Sequence, residues 1–150
     1  MDARRGLLQM LVCAQRIMEA LFDRGEVEKN DPNRRKSKMP LMEAMQTRHS
    51  VRQYREEALR REDAALLWEE IEACNAQSGL HIQLVCGEPK AFAGLLARYG
   101  RFSGVTNYIA LIGKKGPDLS ETCGYFGERI VLRAQQIGLN TCWVAMTYSK

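Results

Sequence analysis

Apolar positions in this chain fall into short periodic blocks separated by polar punctuation. Leu7, Leu11, Ala14, Met18 and Leu21 step by fours and threes, a spacing that places them on one stripe of a helix. An amphipathic helix is therefore expected over residues 7–22, within a leading segment 1–24. A helix of that length seldom holds alone in water, so its stripe needs a partner, on its own core or on another chain. Residues 25–38 then offer Val27 as their one aliphatic side chain, around Asp31-Pro32-Asn33 and a basic run, and read as a polar linker.

The folded body is expected over residues 39–150. Pro40 opens a short helix in which Leu41, Ala44 and Met45 share helical spacing, with Glu43 near its positive end and Thr47 near its stop. Residues 48–54 (RHSVRQY) carry no helical stripe. Residues 60–63 introduce a longer helix with Leu67, Ile71 and Cys74 inward, Glu69, Glu70 and Glu72 outward, and Ser78-Gly79 as its stop. Residues 81–86 (HIQLVC) alternate and predict a strand, Pro89 starts a helix reaching about Arg98, and residues 107–113 (NYIALIG) predict a strand buried on both faces. Residues 118–137 form the longest helical pattern, with Ile130, Ala134 and Ile137 on one face and Gly138 ending it. Residues 142–146 (CWVAM) supply a third strand. Strands interleaved with helices predict a layered α/β or α+β domain with a thin central sheet.

Composition narrows the class. At 150 residues, 45% hydrophobic and 27% charged, the chain suits one soluble domain rather than a disordered or fibrous one. No apolar run approaches the ~18–20 residues of a spanning helix, and the N-terminus has no secretory pattern, so no membrane role is expected. Five scattered cysteines without a C-x-x-C pair fit a reduced, cytoplasmic compartment, with no zinc and no metal site. Cys123 and Cys142 read as packed thiols. Three of the four net positive charges fall in residues 1–38, and the body lacks a clustered basic face, so no nucleic-acid partner is expected.

Nucleotide and hydrolase signatures are absent: the chain has no G-x-G-x-x-G, no G-x-x-x-x-G-K-[ST], no H-E-x-x-H and no G-x-S-x-G. His81, in a strand pattern, reads as a packed residue. The informative stretch is Arg48-His49-Ser50-Val51-Arg52. Two guanidiniums flanking a hydroxyl, on alternate positions of an extended segment, suit a phosphate monoester held by charge-assisted forks. The same pattern also describes three polar residues on a solvated edge.

Residues 48–54 resemble the R-[RH]-S-x-R-x-[YF] signature of the FMN-dependent nitroreductases. Residues 78–89 (SGLHIQLVCGEP), 107–115 (NYIALIGKK) and 123–143 (CGYFGERIVLRAQQIGLNTCW) resemble strands and the long helix of one subgroup of that family. The resemblance spans residues 39–150 and implies an α+β nitroreductase-like layered domain with helices around a central sheet. It implies that Arg48 and Ser50 grip the FMN phosphate and ribityl chain with His49 beside them, and that Arg52 reaches the pyrimidine edge of the ring. Gly124, Tyr125 and Gly127 would lie near the flavin's reactive centre, with helix packing as the competing account. The Gly138-to-Trp143 stretch would be structural. The implied activity passes a hydride from NAD(P)H through FMN to a nitroaromatic, quinone or similar small acceptor, in a homodimer, with no catalytic acid or base assigned. Family members continue beyond the equivalent of Lys150, so a truncated version of the fold is expected. A second reading is a non-catalytic remnant of that fold, acting as an interaction module through the helix at 7–22.

Overall fold

The computed structural model describes residues 7–15, 39–92 and 101–144. Its elements are β1 (Leu7–Gln15), α1 (Leu41–Thr47), α2 (Arg61–Ser78), β2 (His81–Val85), a 3-10 turn (Pro89–Phe92), β3 (Tyr108–Lys114), α3 (Leu119–Gln136) and β4 (Asn140–Val144). The strands form one sheet in the order β2-β3-β1-β4, antiparallel at every junction. The domain is α+β, as the sequence predicts.

Alternation along the strands divides the interior in two. Ile82, Leu84, Ile109 and Leu111 meet Leu67, Ile71 and Cys74 of α2 and Cys123, Ile130, Val131 and Ala134 of α3 in the main apolar cluster. These are the inward stripes that helical spacing predicted for the two long helices. Ala110 and Val144 lie in a second, smaller cluster with Tyr54, Phe92 and Val105, where irregular segments rather than helices close the sheet. β3 is therefore lined with apolar side chains on both faces, as its continuous apolar centre implies.

Polar side chains mark the start of α2 and tie its later turns to the sheet. At its start the Arg60 guanidinium forks onto the buried Asp63 carboxylate, Nε to Oδ2 at 2.7 Å and Nη2 to Oδ1 at 2.8 Å. Further along, Asn75 behaves like one more strand residue: its Nδ2 donates to the Ile82 carbonyl at 3.0 Å and its Oδ1 accepts from the Ile82 N–H at 2.7 Å. Backbone groups of an edge strand are thereby satisfied without another chain.

The N-terminal block departs from expectation. Residues 7–15 form a strand, not the first turns of an amphipathic helix, and the sheet has four strands rather than three. β1 pairs with β3 from Leu7↔Lys114 to Cys13↔Tyr108 and with β4 from Leu11↔Val144 to Gln15↔Asn140. The physical reason lies in LLQMLVCAQ itself, a nearly continuous apolar run that satisfies a helical stripe and a central strand equally. Pairing with two distant strands decides between them. The interaction helix of the second reading is thus replaced, over 7–15, by a strand inside the sheet. Residues 16–22 of that expected helix and the linker at 25–38 lie outside the described residues, as do 93–100 of the helix expected after Pro89.

Candidate functional site

The segment 48–54 takes its course from what precedes it and what lies beside it. α1 ends as the Arg48 N–H donates to the Ala44 carbonyl at 2.9 Å, and Arg48 turns extended at φ −61°, ψ 131°. The chain then runs along β4: Ser50 bridges Thr141 in parallel, and the Val51 N–H donates to the Thr141 carbonyl at 3.0 Å. Farther on, Ser103 N–H donates to the Arg52 carbonyl and Tyr54 N–H to the Ser103 carbonyl, both at 3.0 Å. The Tyr54 hydroxyl turns back to donate to the Val51 carbonyl. Gly104 makes this approach possible, because at φ +69° it occupies the left-handed region and any Cβ there would overlap the Tyr54 carbonyl.

Arg48 enters a small polar cluster at the rim of the main core. Its Nε lies 3.6 Å from Glu128 Oε1 on α3, and the other oxygen of that carboxylate accepts the Trp143 indole N–H at 2.9 Å. Arg48 Nη1 is buried with no hydrogen-bond partner, and so is the hydroxyl of Thr141, the residue that pairs with Ser50. These are the two orphaned buried side-chain atoms among the described residues. Leaving such a group unsatisfied costs about 1–3 kcal/mol, and more when it is charged.

The other predicted residues are distributed around this cluster. His49 is exposed, its Nδ1 3.2 Å from the Thr47 carbonyl, which makes that nitrogen the donor. Arg52 is also exposed and lies 5.8 Å from the centre of the Phe102 ring, a cation–π arrangement. Tyr125 stands 64% exposed on α3, edge-on to Phe126 with ring centroids 5.0 Å apart. Gly124 has open space where a Cβ would project. Gly127 is buried instead: a Cβ there would overlap the Trp143 ring and come within 2.9 Å of Leu111, so its bareness serves helix-to-sheet packing. The segment thus brings Arg48 and Ser50 to β4, places Arg52 at the loop after Arg101, and leaves Tyr125 on the outer surface of α3.

A cleft of about 270 Å³ opens beside that loop, between Pro89, Phe92, Phe102 and residues 103–106, with Glu56 at its wall. Cysteine chemistry is not favoured near the core. Burial pushes the Cys123 thiol up, and it raises Cys74 to about 11, with Arg129 opposing the effect and Glu70 adding to it. No described helix is long and apolar enough to cross a membrane.

Sequence reasoning missed Glu128 and the Thr141 hydroxyl. One signal pointed to the first: a tryptophan in a buried strand needs an acceptor for its indole N–H, and α3 carries a carboxylate directly after Gly127.

Comparison with known proteins bears on this geometry. No curated protein and no solved structure matches the chain. The model of the family described as "Putative TM nitroreductase" matches residues 40–150, roughly three quarters of the chain. The matched region contains α1, the segment 48–54, both long helices, β2, β3 and β4, and the whole Arg48 cluster, while β1 lies before it. A general oxidoreductase role accompanies that assignment, in a family that generally uses flavin cofactors. By the extent of this match, the chain belongs to the nitroreductase family.

Proposed function

We propose that this protein binds FMN at the segment 48–52 and passes a hydride from NAD(P)H to a nitroaromatic, quinone or similar small acceptor. The observation that carries the reading is the orphaned Arg48 Nη1, beside the one stretch of the chain that resembles a flavin-phosphate signature. The donor set fits the cofactor: a guanidinium lacking an acceptor, the exposed Ser50 hydroxyl and the exposed His49 ring are the groups a phosphate monoester needs. When bound, flavin supplies the hydride-accepting and hydride-donating chemistry.

The chain's own residues bind and orient. Arg48 anchors the phosphate with a charge-assisted fork, Ser50 adds a neutral donor, and Arg52 places a cation where negative charge develops on the ring's pyrimidine edge. Tyr125, exposed on α3, offers an aromatic surface toward cofactor or acceptor, while Gly127 contributes through packing. A homodimer is part of the proposal. Leu41, Met42 and Met45 of α1 are each more than half exposed, an apolar surface of the kind that a second copy covers. Cys74, Cys86, Cys123 and Cys142 are free thiols, in keeping with the proposed cytoplasmic setting.

The test is direct. Protein purified without added flavin is examined for visible absorption, titrated with FMN, and then assayed for NADH and NADPH oxidation with a nitroaromatic or quinone. Saturable FMN binding with acceptor-dependent turnover supports the proposal; a colourless protein without a titratable flavin site contradicts it.

A further inference from the structure

Glu128 is tied at both ends of its carboxylate. One oxygen accepts from the Trp143 indole at 2.9 Å, and the other lies 3.6 Å from Arg48 Nε. Gly127, immediately before it, packs against the same Trp143 ring, so the turn of α3 that carries Glu128 is seated on β4. The carboxylate faces Arg48 at Nε, the edge that a guanidinium shares with Nη2. Nη1, on the other edge, is the buried atom without a partner.

An arginine side chain has several rotatable bonds, and ordering it on ligand binding costs entropy unless something has already ordered it. We propose that Glu128, clamped by Trp143, is a positioning residue that orients the Arg48 guanidinium from its Nε edge and leaves Nη1 for the phosphate of the ligand. The inference rests on the reading of Arg48 as the phosphate anchor. Glu128 also carries the same sign of charge as a phosphate. Its side chain is 41% exposed, however, so water screens that repulsion, and the gain from ordering is the larger effect.

Two variants test this against FMN and riboflavin, which differ by the phosphate alone. Glu128→Ala is expected to weaken FMN binding about three- to fivefold, the worth of a partly exposed ion pair, while leaving riboflavin binding nearly unchanged. A merely structural role would weaken both. Trp143→Phe removes the clamp and leaves the carboxylate, so it should reproduce part of the FMN effect, and the double variant should lose no more than Glu128→Ala alone, because the two residues act in series. Hydrogen exchange at Arg48 Nε–H, followed by NMR without any flavin, gives an independent readout and should accelerate in both single variants. Unchanged or tighter FMN binding in Glu128→Ala, or an Nε–H whose exchange does not change, overturns the proposal. Faster Nε–H exchange in Glu128→Ala, combined with an Arg48→Ala variant that binds FMN normally, overturns the anchor reading instead: Glu128 would then order an arginine that the ligand does not use.

Discussion

The two faces of the sheet are closed in different ways. On the helical face, Leu67, Ile71, Cys74, Leu111, Cys123, Val131 and Ala134 have no exposed surface, and each belongs to a regular element with a periodic inward stripe. On the other face the cluster is smaller, and it is closed by the segment 51–54 and the loop around Ser103, joined by single parallel bridges. The first arrangement draws its stability from buried area. The second depends on a few backbone hydrogen bonds and one glycine with the right φ. Arg48 and Ser50 sit where the two meet, along β4, where a rigid helix supplies Glu128 and an irregular strand of backbone supplies the signature residues.

This contrast can be broken from either side. Leu111→Ala removes a fully buried side chain at the centre of the helical face and should cost about 3 kcal/mol in chemical denaturation, lowering the whole transition. Gly104→Ala forces a Cβ into the Tyr54 carbonyl; it should cost about 2 kcal/mol, and hydrogen exchange should rise first in residues 51–54 and 101–106 rather than in α2 or α3. Asn75→Ala, which deletes both hydrogen bonds to Ile82, should cost about 1–2 kcal/mol and open the outer edge of β2, detectable as increased self-association in light scattering.

A separate effect is a pH dependence centred on a thiol of the helical face. The folded-state pKa of Cys74 is raised to about 11 from an ordinary value of 9.0, mainly by burial. Its contribution to stability is therefore fully present below the unfolded pKa and is lost as pH rises through the folded one, because the unfolded thiol ionises first. Denaturation midpoints should fall between about pH 9 and 11. Cys74→Ala should flatten that slope, and an identical slope in the variant would remove Cys74 as its source.

Legibility in the sequence followed the same division. The stripes of α2 and α3 were visible because a helix buries residues three and four apart, so the evidence is local. β1 was not, since its apolar run suits either periodicity and its identity is settled by pairing with strands near the opposite end of the chain. In the candidate site, Arg48, His49, Ser50 and Arg52 stood out through a short signature, yet nothing local linked Arg48 to Glu128 or Arg52 to Phe102. Alternation placed residues 48, 50 and 52 on one side, whereas the two guanidiniums engage different parts of the molecule, because the segment is bound to β4 at one end and to Ser103 at the other. Gly127 illustrates the converse. Its smallness was read as room for a cofactor, with helix packing as the alternative, and it makes room for Trp143.

The central claim is that Arg48 recognises a phosphate, and the sharpest measurement is the ratio of FMN to riboflavin affinity, by fluorescence titration, in the unaltered protein and in Arg48→Ala. One charge-assisted fork is worth about tenfold or more, so the protein should prefer FMN by at least about that factor, and the preference should collapse toward unity in the variant. Equal affinity for the two flavins, or a preference that survives the loss of Arg48, would contradict the account.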